Sequence, residues 1–392
     1  MTNLKKWLKS KLSTALEIPQ IRATVEKLGL QNSNSETSAT LYGMQYWYEG
    51  NLWEPPVQLA LRDLCKPGKI VFDVGANFSG LTTVMSRMVG PRGVVCAFEA
   101  SPRIVDKCQR NIIFNGCTNV QVYHVAVYHN SHQTIPIYCG SHLNDSIYAS
   151  NVTDTAAFQV STLALDDFID FTGLVPDLLK MDIEGAEFDA LKGMLKTLDN
   201  TRPHLILEQQ PDDSRCLDLL REKGYIAIDL NSYREVKSCE DYPKSVAIRN
   251  NLYIHQHRLA EVPYKLPFTL MEWASLTKDD FAVAKDGSIC LRNPLALEQG
   301  RYLIDINFDA EGTNNEMMCG VKIKEQVIFR YHAYTKLLAQ SYRDWVIHLT
   351  EQSKIQIYFD FLNNTYDATF SVNGAKLFRV KEFDLSSSQL YI

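Results

Sequence analysis

The chain lacks the features that mark membrane, secreted or nucleic-acid-binding proteins. No apolar run reaches the roughly 18 residues of a membrane-spanning helix, and the N-terminus lacks the apolar core of a signal peptide. The 9 cysteines include no C-x-x-C pair, which argues against zinc or dithiol chemistry and favours reduced thiols. The formal net charge of −6 provides no attraction to nucleic acid or anionic lipid. We therefore expect a cytoplasmic protein with no transmembrane segment and no nucleic-acid partner.

The sequence changes character twice along its 392 residues, a length that exceeds one typical compact domain. Residues 1–40 begin with a basic amphipathic helix and continue into a polar linker. Residues 41–258 alternate short apolar runs with amphipathic stretches, which is typical of a parallel α/β sheet. Residues 259–392 alternate apolar and polar residues between frequent turns, which predicts an all-β sandwich. The N-terminal helix and the sandwich are the candidates for self-association.

Seven apolar runs in the middle region predict a Rossmann-like sheet of seven strands. The predicted strands are Ile70–Val74, Val94–Phe98, Val120–Tyr123, Leu178–Asp182, His204–Leu207, Ile226–Leu230 and Asn251–Ile254. The predicted helices between them are Leu81–Met88, Arg103–Asn115, Ala186–Leu198 and Ser214–Lys223. In sheets of this class, ligands bind beyond the carboxyl ends of the parallel strands.

A nucleotide-type turn follows the first strand. Asp73 lies near the end of that strand. Gly75 follows the strand and allows the backbone to approach a ligand without an intervening Cβ. Glu99 follows the second strand, where a carboxylate can accept both hydroxyls of a ribose. NAD fits the same geometry, but its pyrophosphate needs a G-x-G-x-x-G turn, and the stretch from Gly75 to Gly80 lacks the middle glycine. A nucleoside ligand without phosphates therefore fits better than a dinucleotide.

Ordered motifs in the same region resemble the FkbM family of S-adenosylmethionine-dependent methyltransferases. The motifs are Trp53-Glu-Pro, Lys66-Pro-Gly, Val71-Phe-Asp-Val-Gly-Ala-Asn, Ala97-Phe-Glu-Ala-Ser-Pro, Asn111-Ile-Ile-Phe-Asn, Leu163-Ala-Leu-Asp-Asp-Phe and Lys180-Met-Asp-Ile-Glu-Gly-Ala-Glu. They cover roughly residues 40 to 255. The chain departs from the family pattern at Ser79, which is usually glycine, and at Glu208-Gln-Gln, where many members carry a histidine soon after the acid.

The resemblance implies S-adenosylmethionine as the cofactor and assigns a set of residues to it. Asp73, Gly75 and Asn77 would line its methionine end, and Ser79 belongs to the same loop. Glu99 would hold the ribose. The residues expected near ribose and adenine are Ser101, Val125 and Ala126.

Carboxylates also gather where the reaction would take place. Asp182 and Glu184 follow the strand that contains Lys180, and the period-two alternation predicts that all three point to one side. Glu208, after the next strand, is expected to join Asp182 as a base that removes the proton of an acceptor hydroxyl. A divalent metal held by these acids is a less favoured alternative, because no further ligand is assured. Glu187 is assigned to the first turn of the following helix.

These features predict an O-methyltransferase that acts on a hydroxyl of a sugar, a glycan or a glycosylated metabolite. The segment Cys139–Tyr148 interrupts the α/β alternation and is the candidate for acceptor selection. The sandwich aromatics are interpreted as either core residues or platforms for sugar rings; they include Trp273, Tyr331, Tyr334 and Trp345. The alternative function is a non-catalytic carbohydrate-binding or assembly protein with a methyltransferase-like domain.

Overall fold

A computed structural model describes residues 54–139, 145–151, 157–242, 249–263, 266, 268, 270–284, 287–310, 316–324, 326–334, 344–361 and 370–381. The predicted N-terminal helix lies outside these residues. By compactness the chain divides into two units, Met1–Gly50 with Cys65–Pro203 and Asn51–Leu64 with His204–Ile392. We call them the first and second unit. The domain boundaries predicted at residues 40 and 258 follow sequence character and stay predictions.

Four parallel strands form the sheet of the first unit, hydrogen-bonded in the order β7–β1–β2–β3. Their bounds are Ile70–Val74 (β1), Val94–Phe98 (β2), Val120–Tyr123 (β3) and Leu178–Met181 (β7). The helices of this unit are Gly80–Val89 (α2), Val105–Phe114 (α3), Leu165–Thr172 (α4), Glu187–Lys192 (α5) and Leu195–Asn200 (α6). Strands with continuous apolar runs suit a sheet covered on both faces, and four residues of β1 and of β2 are buried. The Rossmann-like expectation is confirmed for this unit.

The helix predicted over Ala186–Leu198 is wrong in one respect, because the structure has two short helices there. Gly193 lies between α5 and α6, and a Cβ on it would come within 2.2 Å of the Tyr128 carbonyl oxygen. Its own carbonyl accepts the Asp166 amide N–H at 2.9 Å. The break therefore depends on contacts distant in sequence, which helical periodicity does not record.

A three-stranded sheet is inserted in the first unit between β3 and α4. It consists of Ala126–Val127 (β4), Thr134–Tyr138 (β5) and Ala157–Leu163 (β6), with a 3₁₀ turn at Ala149–Asn151. Tyr138 and Ser146 exchange backbone hydrogen bonds of 2.7 and 3.1 Å. This insertion gives the segment around Ser146 a fixed place beside the main sheet.

The second unit contains the remaining predicted α/β strands and the C-terminal β structure. Its first elements are Pro55–Leu64 (α1), His204–Gln209 (β8), Arg215–Glu222 (α7), Tyr225–Asp229 (β9), Arg234–Val236 (β10) and Arg249–His255 (β11). The strands are hydrogen-bonded in the order β10–β9–β11–β8, with antiparallel pairs. All seven predicted strands exist, while their number in one sheet stays a prediction.

Ten further strands follow in the second unit. They are Leu270–Thr277 (β12), Phe281–Val283 (β13), Ile289–Leu291 (β14), Leu295–Leu297 (β15), Gly300–Ala310 (β16), Glu316–Ile323 (β17), Gln326–Tyr334 (β18), Asp344–Leu349 (β19), Ser353–Phe361 (β20) and Phe370–Val380 (β21). One sheet has the order β12–β21–β16–β19 and the other β13–β14–β20–β17–β18, with β15 beside β20. Both sheets contribute to one buried cluster that includes Trp345. Trp345 is fully buried, so it serves the core and offers no platform to a sugar.

A buried ion pair connects helix α1 to strand β16 within the second unit. The Arg301 guanidinium donates to both carboxylate oxygens of Asp63, at 2.6 and 3.1 Å, and to the Tyr233 hydroxyl at 2.9 Å. Both charged side chains are at most 4% exposed. Such a bidentate pair fixes the geometry of the two elements it joins.

Two further observations concern the cysteines and the length of the helices. All nine cysteines are free thiols. Among the described residues, no helix has the length and apolar character required to cross a membrane.

Candidate functional site

A pocket of about 650 Å³ lies in the first unit, where β1, β2 and β7 end. This volume includes space that is open to solvent. Its walls come from the turns after these strands and from the inserted sheet; the lining residues include Gly75, Asn77, Glu99, Val125, Ala126, Asp145, Ile147, Asp182 and Glu184. The position at the carboxyl ends of parallel strands is the one that the sequence predicted.

Gly75 forms the floor of the pocket. Its φ of 81° is left-handed, and its amide donates to the Phe98 carbonyl oxygen at 2.9 Å. A Cβ at this position would lie 1.8 Å from the Asp182 carbonyl oxygen. Only glycine therefore allows the ends of β1 and β7 to approach this closely.

Two residues with side chains continue the turn in left-handed conformations. Asn77 has a φ of 47° and Ser79 a φ of 63°. The Ser79 hydroxyl donates to the Phe78 carbonyl at 2.5 Å and to the Cys108 carbonyl at 3.2 Å. Ser79 itself takes the glycine-like conformation, while Gly80 begins α2.

Glu99 follows β2 and is only 7% exposed. One carboxylate oxygen accepts the Asn77 amide and the other accepts the Ser101 amide, both at 2.8 Å. Burial raises the pKa of Glu99 to about 7; the two amides oppose this shift, and the charges of Asp145 and Asp73 add to it. The group is thus a rigid acceptor whose charge changes near neutral pH.

A group of buried charged side chains supports the floor of the pocket. Asp73 is fully buried and accepts a hydrogen bond from the Thr82 hydroxyl. Burial raises the pKa of Asp73, while the nearby Lys180 ammonium and the Thr82 hydroxyl oppose the shift. The Lys180 amine donates to Asp182 at 3.2 Å, so one cation lies between two acids. Lys180 therefore forms an ion pair with the neighbouring Asp182.

The turn after β7 brings further acids to this region. Asp182 and Glu184 both line the pocket, and the Asp182 side chain is 23% exposed. Glu184 has a φ of 55°, so the turn, not the strand alternation, directs it. Glu187 begins α5 and accepts the Ile183 amide at 2.8 Å, which is the helix-start role expected for it. Burial raises the pKa of Glu187 to about 7.

The structure separates the predicted cofactor residues into two groups. Gly75, Asn77, Glu99, Val125 and Ala126 are lining residues. Asp73, Ser79 and Ser101 are buried and lie outside the set of lining residues, so they contribute by holding the wall in place.

Sequence reasoning named only part of the pocket wall. Asp145 and Ile147 line it, although the segment that contains them was assigned to acceptor selection. Asp145 accepts hydrogen bonds from the Ser101 hydroxyl and from the Arg103 guanidinium. The only signal in the sequence was the polar character of the interrupting segment. Residues 140–144 of that segment lie outside the described residues.

Glu208 belongs to the second unit, at the end of β8, where it pairs with Asn250 of β11. A carboxylate oxygen of Glu54 lies within 4.8 Å of one of Glu208. The Glu54 carbonyl accepts the Gln58 amide at 3.1 Å, at the start of α1. Glu54 thus lies at the start of α1 and beside Glu208.

The pocket of the first unit lies where doubly wound sheets bind their ligands, and comparison with known proteins shows what this part of the chain resembles. Residues 73–227 match the family model of the methyltransferase FkbM domain. This part of the chain is therefore similar to the FkbM methyltransferase domain. A relative, "Methyltransferase 1" of Beauveria bassiana (strain ARSEF 2860), is 27% identical over 182 residues, which cover 40% of this chain and 71% of that protein.

Solved structures also resemble the chain over about half its length. The FkbM methyltransferase of Methylobacillus flagellatus KT is 16% identical with a TM-score of 0.32, covering 59% of this chain and 65% of that one. Aeropyrum pernix fibrillarin, solved with natively bound S-adenosyl-L-methionine, is 12% identical with a TM-score of 0.33, covering 53% and 76%.

Proposed function

We propose that the protein is an S-adenosylmethionine-dependent O-methyltransferase that acts on a hydroxyl of a sugar, a glycan or a glycosylated metabolite. The observation that carries the proposal is the pair formed by Gly75 and Glu99, which line one pocket of the FkbM domain. Glycine at the first turn and an acid after the second strand are what a phosphate-free nucleoside needs.

The residues of the pocket fit this cofactor. Each Glu99 oxygen accepts one amide, and a carboxylate has about four acceptor sites, so lone pairs remain for two ribose hydroxyls. The side-chain oxygen of Asn77 is buried and accepts no hydrogen bond from the described residues. It suits the ammonium group at the methionine end. Val125 and Ala126 supply apolar surface for the adenine.

The bound cofactor supplies a methyl group on a sulfonium, and the protein must orient an acceptor hydroxyl and remove its proton. Asp182 and Glu184 lie on the pocket wall and are the proposed catalytic acids. The Lys180 ammonium donates to one carboxylate oxygen of Asp182 and so positions this side chain at the pocket. Glu208, after β8, is proposed as a further base. A divalent metal is not needed for this chemistry and remains the less favoured alternative.

Further proposals concern the C-terminal sheets, the acceptor, self-association and the location of the protein. We infer that the two C-terminal sheets form a β-sandwich, because both contribute side chains to one buried cluster. The choice of a sugar-type acceptor rests on the family resemblance. Self-association and a cytoplasmic location stay predictions.

Binding of the cofactor is the first test. Titration calorimetry with S-adenosylmethionine is expected to give saturable binding, and NAD is expected to give none. Glu99→Ala should abolish the binding because the ribose loses its acceptor. Asp106→Ala is the matched control, since Asp106 is an exposed acid on the neighbouring helix α3. Absence of binding to folded wild-type protein overturns the proposal.

Transfer from labelled cofactor to a panel of glycans and glycosides tests the reaction. Asp182→Asn keeps the size of the side chain and an acceptor for Lys180 but removes the base. We expect kcat to fall by about 10²- to 10⁴-fold with cofactor affinity retained. Unchanged turnover in this variant removes Asp182 from the mechanism.

A further inference from the structure

Ser101 joins two carboxylates at one end of the pocket. Its amide donates to Glu99 at 2.8 Å, and its hydroxyl donates to Asp145 at 2.5 Å. The Asp145 side chain is 3% exposed and is held by the Arg103 guanidinium. Two buried acids therefore share one serine, and the Arg103 guanidinium lies beside the second acid.

The segment that contains Asp145 is fixed at two further points. The Ser146 hydroxyl donates to the Glu184 carbonyl at 3.0 Å, and the Tyr148 hydroxyl donates to Asp189 of α5. Asp145 thus occupies one position relative to Glu99. Fixed charges in a buried site act on each other more strongly than mobile charges in water do.

We propose that Asp145 is a positioning residue of this pocket, which together with Arg103 sets the charge state of Glu99 and so the pH range in which the pocket binds a nucleoside diol. The inference rests on the proposed cofactor and adds a control of its affinity. Asp145 acts through Glu99 and need not touch the ligand.

The electrostatic surroundings of Glu99 support this role. Its pKa is raised to about 7, chiefly by burial, and the negative charges of Asp145 and Asp73 contribute to this rise. Cys108 of α3 also interacts electrostatically with Glu99, and burial keeps Cys108 a neutral thiol by raising its pKa. Acceptance of two hydroxyls requires the carboxylate form. Affinity should therefore fall as pH decreases through 7, by up to about tenfold per pH unit.

The test is calorimetry with S-adenosylhomocysteine from pH 5.5 to 8.5, in wild type and three variants. Asp145→Asn removes the negative charge beside Glu99, so the midpoint of the affinity profile should move down by about half to one pH unit. Arg103→Gln removes the neutralising cation and should move the midpoint up. Asp189→Asn is the matched control, because it loosens the same segment at Tyr148 and leaves the neighbours of Glu99 in place.

The outcomes separate this inference from the proposed function. Opposite shifts for Asp145→Asn and Arg103→Gln, with no shift for Asp189→Asn, support it. A wild-type midpoint in Asp145→Asn, or equal shifts in the Asp145 and Asp189 variants, overturns it and leaves the cofactor assignment standing. If Asp145→Asn does not fold, the Arg103→Gln midpoint decides alone. Failure of wild type to bind at any pH overturns both proposals.

Discussion

Replacement of Gly75 by alanine is predicted to weaken cofactor binding and to destabilise the first unit. The added Cβ would lie 1.8 Å from the Asp182 carbonyl oxygen, whereas ordinary contacts begin at 3.4 Å. The ends of β1 and β7 would therefore have to separate by more than an ångström. Asp182 would move with its strand, and the floor of the pocket would open.

The magnitude follows from two contributions. A left-handed conformation costs a residue with a Cβ about 1–2 kcal/mol. Forcing extra volume into a packed position adds about 1–3 kcal/mol. We expect Gly75→Ala to lower the free energy of unfolding by about 2–5 kcal/mol and to weaken cofactor binding by at least about tenfold, equivalent to roughly 1.4 kcal/mol.

Gly68→Ala is the matched control. Gly68 has a φ of 82°, nearly that of Gly75, but a Cβ on it would meet nothing within 4 Å. Gly68→Ala should lower the free energy of unfolding by the conformational contribution alone. It should bind S-adenosylmethionine as wild type does. Urea unfolding and calorimetry on both variants measure the two effects. Equal stabilities and equal affinities for the two variants would refute the assigned role of the contact with Asp182.

Two other predictions concern buried charges. Thr82→Val removes the hydroxyl that donates to Asp73, and it should cost about 1–3 kcal/mol at neutral pH. The pKa of Asp73, already raised by burial, rises further, so the loss should shrink as the pH falls and the carboxyl becomes protonated; thermal melts against pH measure this. Arg301→Met leaves Asp63 charged and buried and should cost about 3–5 kcal/mol in urea unfolding. Arg379→Met, whose acidic partner is 59% exposed, should cost less than about 1 kcal/mol.

The parallel strands could be predicted because their local patterns are strong. The runs of β1, β2 and β3 match the structure residue for residue, since buried parallel strands are apolar on both faces. Elements that depend on distant partners could not be predicted in the same way. The helix break at Gly193 follows from its approach to Tyr128, and this approach leaves no periodic signal.

Residues of the site could be predicted where a residue type has one evident function at its position in the fold. Gly75 and Glu99 lie where the sequence placed them, because the strand-turn-helix pattern fixes the edge at which they meet. The buried environment of Asp73 could not be predicted, because it depends on the hydrogen bond from Thr82 and on the nearby charge of Lys180. Asp145 was missed because its partners are more than 40 residues away in sequence.

The left-handed conformations of Asn77, Ser79 and Glu184 have a consequence for the thermodynamics of binding. These residues hold an unfavourable backbone shape before any ligand arrives, and the cost of that shape belongs to the folding of the protein. A ligand that enters the pocket orders little of this backbone, so association should lose little conformational entropy here. Ser79→Gly or Glu184→Gly would transfer that cost from folding to binding. We therefore expect either variant to be more stable than wild type and to bind its ligand more weakly.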